Sequence, residues 1–206
     1  MKTLKHFILI SCLFLTSVGI SYAATAVTIN FEDSNGDPIT SGATLTYYDS
    51  GWKTATNNND GTFTANINGS STSYHMVYAN SSQTIVTSDN PVTFSTVATT
   101  AIVKDSDGNT LSGGTFSYYG NGWSSSYAAG TEVEILPGSN FSVRMKYNNG
   151  RQQKNSQTVS GSSTEIEFTT VTVKHFVELC EEALSGGTFS YYGAEGWSSI
   201  IMHLQH

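Results

Sequence analysis

Cysteine is almost missing from this chain. Of 206 residues only Cys12 and Cys180 carry a thiol, and Cys12 lies inside an apolar amino-terminal run. If that run is removed, Cys180 stands alone and no internal disulfide can form. The five histidines are scattered singly, without the Cys/His spacing of a zinc site. The fold is therefore expected to hold without staple, structural metal or cofactor. Charge is scarce as well: 12% of the residues are ionic, about half the usual share for a soluble domain. Basic residues are fewest, nine Lys and Arg against sixteen Asp and Glu, for a net charge of −7. That balance argues against nucleic acid or an anionic membrane as the main partner.

Long apolar runs are missing everywhere but at the start. Met1, Lys2, Lys5 and His6 precede a largely apolar stretch from Phe7 to Ile20, and Ser21-Tyr22-Ala23 has the small-x-small form that a signal peptidase reads. Residues 1–23 are thus expected to be a secretory signal peptide, its apolar run too short to span a membrane comfortably. A lipoprotein signal ending at Cys12 is the less favoured reading, because little apolar sequence precedes it. Cleavage near Ala24 would remove Lys2 and Lys5 and take the net charge to −9. It would leave a secreted or cell-surface chain with no transmembrane segment.

What the chain has in quantity is repetition. "LSGGTFSYYG" stands unchanged at Leu111–Gly120 and at Leu184–Gly193, and a looser "TSGATLTYYDSGW" occupies Thr40–Trp52. The tryptophans that follow, Trp52, Trp123 and Trp197, are 71 and 74 residues apart. "SYHMVY" at Ser73–Tyr78 answers "SVRMKY" at Ser142–Tyr147. The unit is a repeat of roughly 70 residues. Its expected bounds are 24–97 for the first copy, 98–170 for the second, and 171–206 for a partial, degenerate third.

Inside each copy the period is two. Val27, Ile29 and Phe31 alternate with Thr28, Asn30 and Glu32, as Phe141, Val143 and Met145 do with Ser142, Arg144 and Lys146. One apolar and one polar face is what a half-buried antiparallel strand requires. Turn pairs such as Asn35-Gly36, Asp60-Gly61, Asp107-Gly108, Pro137-Gly138 and Asn149-Gly150 fall between the runs. The pattern predicts an all-β chain: two tandem small sandwiches of about seven strands, plus a truncated third repeat. Copies of this size sit near the lower limit for a self-sufficient core, so modest stability is expected. Their almost linkerless join predicts a semi-rigid rod. In the third copy "HFVELCEEA" (His175–Ala183) replaces a glycine turn, and its apolar spacing predicts a short helix. After Ser199 the repeat pattern stops, and Ile200, Ile201 and Met202 would leave a sticky or disordered tail.

The order of strand, Asp-Ser-(Asn/Asp)-Gly turn, "LSGGTFSYY", Gly-Trp, acidic strand, Pro-Gly and "FSVRMKY" resembles tandem β-sandwich repeats of bacterial surface and secreted proteins. It is similar to carboxypeptidase-regulatory-like and Cna B-type domains, which share a transthyretin-like, Ig-like seven-strand fold. The resemblance covers both complete copies. It implies a non-catalytic spacer, stalk or adhesin module and carries no active-site residues with it.

Candidate binding chemistry is confined to the repeated Tyr-Tyr…Gly-Trp group. Leu45, Tyr47, Phe116 and Tyr118 take the inward positions, so Tyr48 and Tyr119 point outward. Three-residue loops then bring Trp52 beside Tyr48 and Trp123 beside Tyr119. Each pair can simply steady its hairpin, by about 0.5–1 kcal/mol. Alternatively Tyr48, Trp52, Tyr119 and Trp123 form stacking platforms for the sugar rings of a polysaccharide or cell-surface component, fringed by Asp49, Lys53 and Asn121. The "DSNGD" and "DSDGN" stretches lack the closing acid of a calcium loop and read as turns. Lys104 has no asparagine partner for an intramolecular isopeptide bond. Glu132/Glu134 and Glu165/Glu167 read as solvent faces of strands, and His75 as an outward residue. No acid, base and nucleophile converge, so an enzyme is not expected.

Overall fold

The structure, a computed structural model, describes residues 23–69 and 72–171, and beyond them the backbone of 178–179, 182–183, 188–193 and 196–201. The signal-peptide reading, the Ser70 and Ser71 positions and Met202 fall outside the described residues. Every described element is a strand, so the chain is all-β. Among the described residues no helix is long and apolar enough to cross a membrane.

The first sandwich is built from β1 (Thr25–Glu32), β2 (Thr44–Tyr48), β3 (Trp52–Thr54), β4 (Thr56–Asn57), β5 (Thr62–Ile67), β6 (Thr72–Tyr78), β7 (Ser81–Thr87) and β8 (Val92–Ser95). One sheet has the order β4-β5-β1-β8, the other β3-β2-β6-β7. All pairs are antiparallel except β1 with β8. The near-continuous β3 and β4 are one run that changes sheets at Ala55, whose amide still donates to Leu45 O at 2.9 Å. With β3 and β4 counted as one run, the sandwich has seven strands, as the sequence pattern predicts.

The period-two residues form the core. Val27, Ile29 and Phe31 of β1 and Phe63, Ala65 and Ile67 of β5 are buried with Leu45 and Tyr47 of β2 and Tyr74 and Met76 of β6. Full burial of each large apolar side chain is worth about 1.5–3 kcal/mol. The β6–β7 hairpin turns on Ala79 and Asn80, with φ of 45° and 56°. Positive φ at both central positions fits the right-handed twist of the flanking strands.

The second sandwich repeats the plan with β9 (Val97–Lys104), β10 (Thr110–Leu111), β11 (Thr115–Tyr119), β12 (Tyr127–Ala128), β13 (Val133–Ile135), β14 (Gly138–Tyr147), β15 (Gly150–Val159) and β16 (Ser163–Thr169). In one sheet β10 and β13 pair antiparallel with β9 and β16 runs parallel to it; the other has the order β12-β11-β14-β15. Val103, Phe116, Tyr118, Ile135, Phe141, Val143, Met145, Ile166 and Phe168 fill its core. Two turn assignments shift. Gly150 pairs with Tyr147, so Asn148 and Asn149 make the β14–β15 turn, and Gly138 opens β14 rather than turning. Gly138 pairs with Val159 across a register irregularity.

Where the two sandwiches meet, the chain passes through Thr96 alone, a nearly buried residue whose amide donates to Glu32 O at 3.0 Å. Glu134 is not on a solvent face. Its carboxylate accepts from the Ser34 hydroxyl at 2.6 Å, the Ser34 amide at 3.3 Å and the Thr96 hydroxyl. Leu136, just past β13, is 0% exposed and belongs to the core of the first sandwich. Its amide donates to Ser81 Oγ at 2.8 Å. The Ala79-Asn80 turn is held from the same side: the Tyr118 hydroxyl donates to Ala79 O, and the Asn121 amide to Asn80 O at 2.6 Å. One buried leucine contributes about 1.5–3 kcal/mol and each hydrogen bond about 0.5–1.5 kcal/mol. That is enough to couple the two units.

Beyond Val171 the expectations need correction. Within His175–Ala183, Glu178–Leu179 (β17) pairs antiparallel with Glu182–Ala183 (β18) in place of a helix. A helix of this length gains little without a packed face. Thr188–Gly193 (β19) pairs with Gly196–Ile201 (β20), setting Ile200 opposite Phe189 and Tyr192 opposite Trp197. Ile200 and Ile201 are strand residues and not an unstructured tail.

Candidate functional site

The aromatic groups come from one local device, a tight hairpin that sets tyrosine and tryptophan opposite each other. In the first sandwich Tyr48 pairs directly with Trp52. The Asp49-Ser50-Gly51 loop closes with the Asp49 amide on Gly51 O at 2.9 Å, and Ser50 and Gly51 take φ of 57° and 150°. The rings meet edge to face, centroids 5.8 Å apart at 75°, the arrangement that the ring quadrupole favours. Tyr48 is 50% and Trp52 58% exposed. In the second sandwich Tyr119 and Trp123 form an isolated bridge, with centroids 5.5 Å apart at 60° and exposures of 44% and 39%. All four residues thus stand outward on a solvent-facing sheet surface, with Leu45, Tyr47, Phe116 and Tyr118 buried behind them.

The fringe differs from the expected one. Asp49 is nearly buried and turned into its own hairpin. It accepts from Lys53 Nζ at 2.6 Å and from the Asn68 side-chain amide at 2.8 Å. The Lys53 hydrogen bond holds its carboxyl below the usual carboxylate range, and Asp49 in turn raises the Lys53 ammonium. The two groups are thus bonded to each other within the loop. Asn121 lends its backbone amide to the junction.

Two other residues take the place beside the tryptophans. His75 of β6 lies against Trp52, ring centroids 6.3 Å apart, and its Nδ1 is 3.0 Å from Thr84 Oγ1 of β7. Arg144, at the matching place on β14, stacks its guanidinium 4.1 Å from the Trp123 ring centroid. It donates to Gln153 Oε1 of β15 from Nε at 3.4 Å and from Nη2 at 3.1 Å. The alignment of "SYHMVY" with "SVRMKY" carries the signal for both. What it lacks is the strand order that sets β6 beside β2 and β14 beside β11.

The other candidate stretches are turns. Asp33 Oδ1 accepts from the amides of Asn35 and Asp37 at 2.8 and 2.9 Å, and Asp105 repeats this with Asp107 and Asn109. Hydrogen bonds from Asn109 hold the Asp105 carboxyl low. Lys104 bonds to the Glu167 carboxylate. Among the described residues no three His, Cys, Asp or Glu side chains group as metal ligands.

No family model matches this chain, and no curated protein matches it. Two solved structures align with it at low similarity. One is the Bacillus anthracis TIE protein, at 10% identity and a TM-score of 0.27 over 87% of this chain. This chain spans 43% of that protein's length. The other is the shaft pilin SpaA from Lactobacillus rhamnosus GG, at 8% identity and a TM-score of 0.24 over 74% of this chain and 99% of the pilin.

Proposed function

We propose that this is an exported, non-catalytic structural or adhesive repeat protein that acts as a spacer, stalk or presentation module at a cell surface. The junction carries this reading. A single connecting residue, a leucine from one sandwich in the core of the other, and hydrogen bonds onto the Ala79-Asn80 turn all oppose bending between modules. A stalk needs that stiffness, whereas a chain of independent binding modules does not. The Cna B-type, transthyretin-like affiliation belongs to this proposal and rests on the sequence motifs. Small-angle scattering of the purified chain tests it, together with antibody labelling of intact cells that produce the chain. The expected result is one fixed maximum dimension across salt concentrations and labelling without permeabilisation. A flexible ensemble, or label only after lysis, would sink the proposal.

The exposure of both aromatic pairs favours a second reading, a carbohydrate-binding module that uses Tyr48, Trp52, Tyr119 and Trp123. Tryptophan fluorescence titrated with soluble polysaccharides separates the two. A saturable shift lost in the Trp52→Ala/Trp123→Ala variant supports binding, and silence across the panel leaves the stalk.

A further inference from the structure

The overall acidity hides a local reversal. Four of the nine Lys and Arg residues fall in the β14–β15 hairpin, Gly138–Val159, which contains no Asp or Glu. The sheet register sorts them onto two faces. Lys154 pairs with the inward Val143 and lies over the Phe168 ring, 5.5 Å from its centroid, on the core side of the edge strand. The other three share the outer face: Arg144 opposite Gln153, and Lys146 directly opposite Arg151. Burial alternates along β14, with Val143 and Met145 inside, Arg144 half-buried and Lys146 exposed. Tyr119 and Trp123 stand on this same face, joined to it through the Arg144–Trp123 stack.

We propose that the outer face of the β11–β14–β15 sheet binds an acidic polysaccharide. The Tyr119–Trp123 pair takes a sugar ring, and Arg144, Lys146 and Arg151 take the carboxylates of neighbouring uronate units. The inference rests on the carbohydrate-binding reading of the aromatic pairs and adds the class of glycan. Charge complementarity carries it. Two cations, Lys146 and Arg151, face each other across one strand pair on the outer face. A third is already oriented by an indole and by Gln153, with its planar fork suited to a carboxylate. Edge-strand protection explains Lys154 and Arg151 on β15. It does not explain Arg144 and Lys146 on β14, which is an interior strand of its sheet. The first sandwich shows the contrast: Thr72–Thr87, its β6–β7 hairpin, has no Lys, Arg, Asp or Glu, and His75 stands where Arg144 does.

The test is calorimetric titration of the full chain with polygalacturonate, with dextran as a neutral glycan, and with a single-stranded oligonucleotide. Each is measured beside the Arg144→Gln/Arg151→Gln variant and a Trp123→Ala variant, with circular dichroism as the fold control. Polygalacturonate is expected to bind at least tenfold more tightly than dextran and to weaken as salt rises. At least tenfold of that affinity should be lost in either variant, while the spectra stay unchanged. Dextran bound as tightly as polygalacturonate, with loss only in Trp123→Ala, would overturn the charge inference and leave the carbohydrate reading standing. No binding of either glycan would overturn both. Tighter binding of the oligonucleotide would assign the face to a different partner and overturn the proposal.

Discussion

The two sandwiches share a plan and differ at their leading ends. Ile67 pairs with Thr25 at the start of β1 as Ile135 pairs with Val97 at the start of β9. The next residue is Asn68 in the first and Leu136 in the second. The residue after the outward tyrosine is Asp49 in the first and Gly120 in the second. In the first sandwich the Asp49 carboxylate accepts from both Asn68 and Lys53, giving a polar, self-satisfied loop. In the second, Leu136 enters the neighbouring core, and Gly120 lies so close to the neighbour that a Cβ there would be 2.8 Å from Asn80 O. The same hairpin is a self-bonded polar loop in one copy and a joint in the other, and two positions make the difference.

Giving the joint the polar residues of the first copy should have the largest effect. Leu136→Asn, which copies Asn68, is expected to cost about 2–5 kcal/mol and to split one calorimetric unfolding transition into two. An unchanged single transition would show that the sandwiches are coupled elsewhere. Gly120→Asp should come next, at about 1–3 kcal/mol. An added Cβ there would also lie 2.6 Å from the Phe141 ring, so the variant should loosen both the joint and the second core. Denaturant titration reads this loss, and a variant as stable as the parent would refute the close approach.

Acid should distinguish the turns more gently. The Asp49, Asp60 and Asp105 carboxyls are held below their ordinary value of 3.8 by hydrogen bonds, Lys53 foremost for Asp49, Thr62 for Asp60 and Asn109 for Asp105. A carboxyl lowered by folding stabilises the protein above its unfolded pKa, and that contribution is lost as pH falls through the folded value. Denaturant midpoints should therefore be flat near neutrality and drop below pH 3.8. The drop should be smaller in Asp105→Asn, which removes one of the titrating groups. The aromatic pairs give the smallest effects. Trp52→Ala is expected to cost about 0.5–1 kcal/mol through the Tyr48 contact. Trp123→Ala should cost roughly 0.5–1 kcal/mol more, through loss of the Arg144 stack. Equal losses in the two, measured by urea denaturation, would mean that this stack contributes nothing.

Much of the site is legible in the residues alone. Alternation along "TLTYY" and "TFSYY" fixes which tyrosine is buried, and a three-residue loop fixes the tryptophan beside the other. The companions of each tryptophan are less legible, because His75 and Arg144 are 23 and 21 residues further along the chain and reach it through strand order. β15 is harder still. "GRQQKNSQTV" has almost no apolar residue to mark a strand, and it pairs because β14 offers it an edge. Glu134 has the spacing of a solvent-facing residue, and only the neighbouring sandwich turns that face into an interface. In the third copy the helical spacing of His175–Ala183 gives way to backbone pairing of Glu178–Leu179 with Glu182–Ala183.

Local chemistry determined the class of this protein. Period-two burial, turn pairs with positive φ and a copied hairpin are properties of short stretches, so the chain carries them wherever it folds. Tertiary structure decided what those stretches do. It placed Leu136 in a core that is not its own and made the Ala79-Asn80 turn an acceptor for the next module. It also gathered Arg144, Lys146 and Arg151 on one face of an acidic chain. Each of these depends on which strands become neighbours, and that choice is made by the packing of whole sheets rather than by any residue's own preference.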